Sequence, residues 1–130
     1  MTTKEFEDYL KSIGGLVNGY YVDKPNITSV TVCECDNGWL QLIKNCIQEL
    51  IDIGWDKQIC QIKEKFGRLR FYPANYPEGS SKIIEKYSEI SSHTCEVCGK
   101  EGELRNLPWI QTLCEKHYNE VAKKFGHGQR

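Results

Sequence analysis

Apolar residues recur along this chain with two different periods, and the changes between them mark out its elements. Phe6, Tyr9, Leu10 and Ile13 fall at helical spacing and predict a short helix over residues 2–13. Thr2 and Glu5 ahead of that run fit a capping box, and Gly14-Gly15 ends it. The strongest helical stripe is Trp39, Ile43, Cys46, Ile47 and Leu50, widened by Leu40 and Ile51. It predicts a helix from about Gly38 to Ile53, with Asp36-Asn37-Gly38 as a turn that offers an N-cap and Gly54 as the stop. By itself the stripe reads as core. A third helix runs from a Ser80 or Ser81 cap to about Ser91 and is expected to bury Ile83, Ile84, Tyr87 and Ile90.

Between these lie β-type segments. Tyr20 to Lys24 is extended or loop, because Pro25 disfavours helix through Lys24, and the β-branched run Ile27 to Cys33 reads as a strand. Gln58–Lys65 and Arg68–Tyr72 flank Phe66-Gly67, a candidate two-residue hairpin turn. Pro73 ends the second strand, and residues 73–79 are a loop by composition.

The hairpin carries the first chemical signal. With a two-residue turn, Lys65 faces Arg68, Lys63 faces Arg70 and Gln61 faces Tyr72. All six then share one face, opposite Ile62, Leu69 and Phe71. Four cations without an acid on one face are mutually unfavourable, so something anionic is expected nearby. Acids of adjoining helices (Glu49, Asp52, Glu85 or Glu89) are one answer. Phosphate of a ligand or nucleic acid, gripped by Arg68 and Arg70 with Tyr72 stacking on a ring, is the other. A one-residue slip in register would scatter the cluster.

Composition narrows the setting. The 130 residues include 39% hydrophobic and 27% charged side chains with a net charge of −1, so global disorder is not expected and no overall polyanion affinity is advertised. No apolar run is long enough to span a bilayer, and the first residues lack the apolar core of a signal peptide, which leads to a cytoplasmic expectation without membrane contact.

Seven cysteines without a secretion signal favour metal ligation over disulfides. Cys95-Glu96-Val97-Cys98-Gly99 is followed, after fifteen intervening residues, by Cys114-Glu115-Lys116-His117. Two residues between ligands let a tight knuckle aim both sulfurs at one point, and Cys114 and His117 share the first turn of a helix expected over residues 114–125. Cys95, Cys98, Cys114 and His117 therefore form a candidate closed, structural site for one Zn²⁺. With a hairpin from Glu103–Asn106 and Ile110–Leu113 the segment is similar to a treble-clef or zinc-ribbon-like finger. Too short to bury a core, it would depend on the metal to fold. Trp109 could cover the finger's small core or contact a partner.

Other candidates carry less. Cys33-Glu34-Cys35 reads as free thiols at a strand end or as half of a second metal site completed by His93, Cys46 or Cys60. Lys123, Lys124 and Arg130 could touch nucleic acid. No catalytic motif is present, and an enzyme is not expected.

Asn37-Gly38-Trp39, the stretch from Gln61 to Tyr72, Cys95-Glu96-Val97-Cys98-Gly99 and Thr112-Leu113-Cys114 together resemble a group of small, mostly uncharacterised proteins of bacteriophages and prophages, over about residues 36–120. The resemblance implies host takeover, counter-defence by binding (for instance of a nucleotide-derived signal) or regulation through nucleic acid.

The expected architecture is α+β, with helices on a small antiparallel sheet over residues 1–92, a zinc finger over 93–125 and a flexible tail over 126–130. The expected function is non-enzymatic binding of a phosphate-bearing small molecule through Lys63, Lys65, Arg68, Arg70 and Tyr72, with Trp39 lining the same pocket. A nucleic-acid-binding regulator and an inhibitor of a host enzyme acting through Trp109 are the alternatives.

Overall fold

A computed structural model describes residues 1–17, 20–21 and 33–124. Helix α1 (Thr3–Ser12) opens with the expected capping box, in which Thr2 accepts from the Glu5 N–H and the Glu5 carboxylate accepts from the Thr2 N–H. Strands β1 (Leu16–Val17) and β2 (Tyr20–Tyr21) follow, and the chain re-enters the described region at β3 (Cys33–Glu34). Most of the expected strand from Ile27 to Cys33, and residues 22–24 of the extended segment, lie outside the described residues.

A 3-10 turn, Asn37–Trp39, leads into α2 (Leu40–Asp52). Asp36 stands at its N-cap without a side-chain capping bond. Trp39, Ile43, Cys46, Ile47 and Leu50 are all fully buried, as their shared stripe predicts. Each such side chain contributes roughly 1.5–3 kcal/mol of transfer free energy. They form one core with Phe6 and Leu10 of α1 and with Ile59, Ile62, Leu69 and Phe71 of the central hairpin.

That hairpin is β4 (Gln58–Lys65) and β5 (Arg68–Pro73), paired in the expected register: Lys65 opposite Arg68, Lys63 opposite Arg70, Gln61 opposite Tyr72. Phe66 (φ 54°) and Gly67 (φ 80°) make the turn with two left-handed residues, the type I′ geometry that matches strand twist.

The sheet is not antiparallel throughout. β4 pairs in parallel with β1 along its first residues and with β3 at Ile62 and Lys63, both on the edge opposite β5. The reason is connectivity. α2 carries the chain from the end of β3 back to the start of β4, and a helical crossover of that kind joins parallel neighbours.

Helix α3 (Ser80–Ser91) packs against β5 and α2. Its N-cap is Gly79 rather than a serine, and Ser80 is already inside the helix with a buried hydroxyl. Ile90 is 40% exposed, whereas Ser88 and Ser91 are buried. α3 covers the free edge of β5, and such an edge presents backbone donors and not apolar side chains. The Ser91 hydroxyl accepts the otherwise unpaired Leu69 N–H at 2.8 Å.

The C-terminal region consists of a knuckle at residues 94–102, the hairpin β6 (Glu103–Asn106) with β7 (Ile110–Leu113), and α4 (Glu115–Lys124). Arg105 ties hairpin to helix: its Nε donates to Leu113 O at 3.1 Å and its guanidinium lies 4.6 Å from the Tyr118 ring centroid. No helix among the described residues is long and apolar enough to cross a membrane.

Candidate metal centre and cationic face

The knuckle and the first turn of α4 bring Cys95, Cys98, Cys114 and His117 together, with every ligand atom within 4.8 Å of the others. Cys98 Sγ lies 3.9 Å from Cys114 Sγ, and His117 Nδ1 lies 3.2 Å from Cys114 Sγ and 3.7 Å from Cys95 Sγ. Tetrahedral coordination with metal–sulfur bonds of about 2.3 Å and metal–nitrogen bonds of about 2.0 Å puts such atoms roughly 3.5–3.8 Å apart. The residues present therefore fit one metal ion, with His117 offering Nδ1.

Cys114 stands just ahead of α4. It receives the His117 N–H at 3.5 Å on its sulfur and the Tyr118 N–H at 2.8 Å on its carbonyl. The His117 N–H is the main reason the Cys114 thiol pKa is drawn down to about 6, which favours the thiolate a metal needs. Glu120, three residues on, has a carboxylate oxygen 4.0 Å from His117 Nε2, the ring nitrogen facing away from the cluster. Sequence reasoning missed it, although the i, i+3 spacing from a ligand histidine was the available signal.

This cluster is anchored to the central fold through backbone contacts. The Gly38 N–H donates to Glu96 O at 2.7 Å. A Cβ at Gly38 would collide with the carbonyl oxygens of Cys95 and Glu96. The Trp39 indole N–H donates to Thr94 O at 2.8 Å. Glu96 is buried, its carboxylate accepting the Asp36 N–H at 3.0 Å and the Gln111 amide at 3.3 Å, and burial pushes its pKa up. At the far end the Thr112 hydroxyl donates to Gly67 O at 2.7 Å, which seats the tip of the β4–β5 hairpin on β7.

Trp39 therefore cannot line a ligand pocket. It is fully buried, and its one polar atom is committed to the knuckle. The other residues of the expected binding face do lie together, on the side of the hairpin away from the core. Lys63, Arg68, Arg70 and Tyr72 are half-buried and Lys65 is exposed. Arg68 is neutralised from α3, with Nη2 at 2.9 Å from Glu89 and 3.8 Å from Glu85. Glu49 is taken instead by Lys86 at 2.6 Å and by the Tyr87 hydroxyl.

Among the described residues Lys63, Lys65 and Arg70 form no ion pair, and Arg70 Nε is buried without a hydrogen-bond partner. Glu34, in register with Lys63 on β3, holds the Gln61 amide at 3.2 Å.

Two further clefts went unseen in the sequence because their residues are scattered along the chain. One, of about 440 Å³, is bordered by Cys33, Glu34, Cys35, Asp36, Glu64, Glu96, Trp109 and Gln111. The Cys33 thiol there is held well above its ordinary pKa by the neighbouring Cys35 thiol and by burial, and neither cysteine belongs to a metal cluster among the described residues. The other, of about 350 Å³, lies beside Cys98 and is lined with the amides of Asn37, Gln41 and Asn45. Trp109 is 37% exposed and its indole donates to Gln111 at 2.9 Å. No family model, curated protein or solved structure matches this chain.

Proposed function

We propose that this chain is a non-enzymatic binding protein, stabilised by one structural Zn²⁺, that holds a phosphate-bearing ligand on the cationic face of the β4–β5 hairpin. Zinc is the metal favoured by three thiolates and one imidazole in tetrahedral reach. The order of knuckle, hairpin and ligand-bearing helix supports a treble-clef-like reading of the C-terminal segment. A closed four-ligand set leaves no position for substrate, which supports a structural role.

One observation carries the ligand reading. Among the described residues Lys63, Lys65 and Arg70 share a face and form no ion pair, while Glu89 is engaged by Arg68 and Glu34 accepts from the Gln61 amide. Like charges gathered without ion-pair partners lower stability, and a bound anion would remove that cost. Arg68, fixed by Glu89, would orient the face, while Lys63, Lys65 and Arg70 would supply the net charge. The resemblance to phage proteins supports a setting in which such a molecule acts by sequestering a nucleotide signal of host defence inside the host cytoplasm.

Calorimetric titration with pyrophosphate tests the charge reading directly. Lys63→Ala combined with Arg70→Ala should abolish binding while the protein stays folded. Equal affinity in wild type and double variant would refute it. An extended nucleic acid is separated from a small ligand by salt, since its affinity falls with a slope that counts phosphates.

A second reading, contact with a host protein, draws on the apolar side chains left exposed on the C-terminal hairpin: Leu104 at 50%, Ile110 at 38% and Trp109 at 37%. Retention of a host enzyme by the wild type but not by Leu104→Ser with Ile110→Ser would favour it.

A further inference from the structure

The aromatic ring at the tip of the β4–β5 hairpin sits where the backbone disfavours it. Phe66 takes φ 54° as the first central residue of a type I′ turn, a position suited to asparagine and strained for a bulky side chain. Phe66 is 65% exposed, the largest value among the exposed apolar residues described. Burial therefore does not hold a phenylalanine there, and turn geometry opposes it. Strain kept at an exposed position points to work done outside folding.

The surroundings of the ring indicate which work. Lys65 Nζ lies 5.7 Å from its centroid, so the ring stands beside the cationic face and not apart from it. Lys63 and Arg70 continue that face from Lys65, with Tyr72 beyond them. An exposed aromatic plane next to cations that form no ion pair among the described residues is the combination that holds a base by stacking and its phosphates by charge. On its other side the tip meets Leu104 and Ile110 across Gly67, while the Phe66 ring has the Lys65 ammonium beside it. That favours a nucleotide over an apolar protein surface.

We infer that Phe66 is a stacking platform for a nucleobase whose phosphates lie over Lys65, Lys63 and Arg70, so that the ligand class of this face is a nucleotide. This rests on the anion-binding reading above and narrows it. The nucleotide could come from a free oligonucleotide signal or from a single strand, and the two share this chemistry.

The test uses the full, metal-loaded chain and three probes: pyrophosphate, the linear dinucleotide pApA, and a short oligodeoxyadenylate. The wild type should bind pApA more tightly than pyrophosphate. Phe66→Asn should weaken pApA roughly tenfold, the loss of one stacked base, and leave pyrophosphate unchanged. The same variant should raise Tm by about 2–4 °C through relief of the strained turn, which shows that binding was not lost through misfolding. Phe66→Trp should restore pApA affinity, with quenching of tryptophan emission on binding.

Binding of pApA by Phe66→Asn at wild-type affinity, or a wild type that prefers pyrophosphate, overturns the stacking role and leaves anion binding standing. Failure of the wild type to bind any probe overturns both. Loss of a retained host protein in Phe66→Asn with pApA binding intact also overturns it, in favour of protein contact. Tighter, steeply salt-dependent binding of the oligodeoxyadenylate assigns the source to a strand, and salt-tolerant preference for pApA assigns it to a free signal. Both of these support the stacking role.

Discussion

Gly38 lies against the carbonyl of Cys95 so closely that no side chain could stand between them, and the Gly38 N–H is bonded to Glu96 O at 2.7 Å. The first turn leading into α2 and the knuckle that carries two residues of the candidate metal cluster are thus one packed unit.

Gly38→Ala should therefore cost more than an ordinary glycine substitution. Two backbone carbonyls must move to admit the methyl group, and overpacking of that kind costs about 1–3 kcal/mol. Urea denaturation should show the loss, and competition with a chromogenic chelator should show faster metal release than in the wild type. Unchanged metal retention would mean that the knuckle and α2 are energetically independent.

Ser91→Ala tests the cover of the β5 edge. It removes the acceptor of the Leu69 N–H in a buried setting, and an unsatisfied buried donor costs about 1–3 kcal/mol. Hydrogen exchange should accelerate at the Leu69 amide specifically. The neighbouring exposed Ile90→Ala should change stability by less than about 0.5 kcal/mol.

This serine edge shows where sequence pattern stops being legible. Helical period placed α3 correctly, but it could not show that the helix meets a strand edge, where Ser88 and Ser91 belong inside and Ile90 does not. The β4–β5 register was readable because a two-residue turn and alternating side chains leave a single solution, as the Lys63 and Arg70 pair shows. The parallel pairing of β1 and β3 was not, because it depends on where α2 returns the chain. The clustering of Cys95, Cys98, Cys114 and His117 was legible through short spacings. The burial of Trp39 against Thr94 was not, because those residues meet only after the C-terminal segment docks. Glu85 and Glu89 stood among the possible partners of Arg68, yet only packing could choose them over Asp52.

The Glu49 pairing predicts a pH dependence. The Lys86 ammonium, and then the Tyr87 hydroxyl, hold the Glu49 carboxyl below its ordinary pKa. A depressed folded pKa stabilises the fold above the unfolded value, and this contribution is lost as pH falls through the folded value. Glu49→Gln should thus flatten the stability profile on the acid side of the ordinary glutamate pKa. The amplitude should be less than about 1 kcal/mol, since Glu49 and Lys86 are 36% and 50% exposed. An unchanged profile from chemical denaturation at a series of pH values would show that the pair contributes nothing.

Arg68 and Arg70 should behave differently although they are neighbours on one face. Arg68 is held by Glu89 at 2.9 Å, so Arg68→Ala should leave an uncompensated acid pair on α3 and lower Tm slightly. Arg70→Ala should leave Tm unchanged or raised, because it relieves repulsion with Lys63 across the hairpin. Differential scanning fluorimetry on both variants distinguishes them, and a larger Tm loss in Arg70→Ala would mean that a counter-charge for it exists.

Cys95, Cys98, Cys114 and His117 are predicted to hold a single metal ion on which the C-terminal region depends to fold. Native mass spectrometry of the purified chain, with and without strong chelator, measures this directly. The predicted result is one zinc per chain, and a shift to highly charged, unfolded ions of the C-terminal region when it is stripped or when Cys114→Ser replaces the wild type. A metal-free protein with an unchanged, compact charge-state distribution would contradict it.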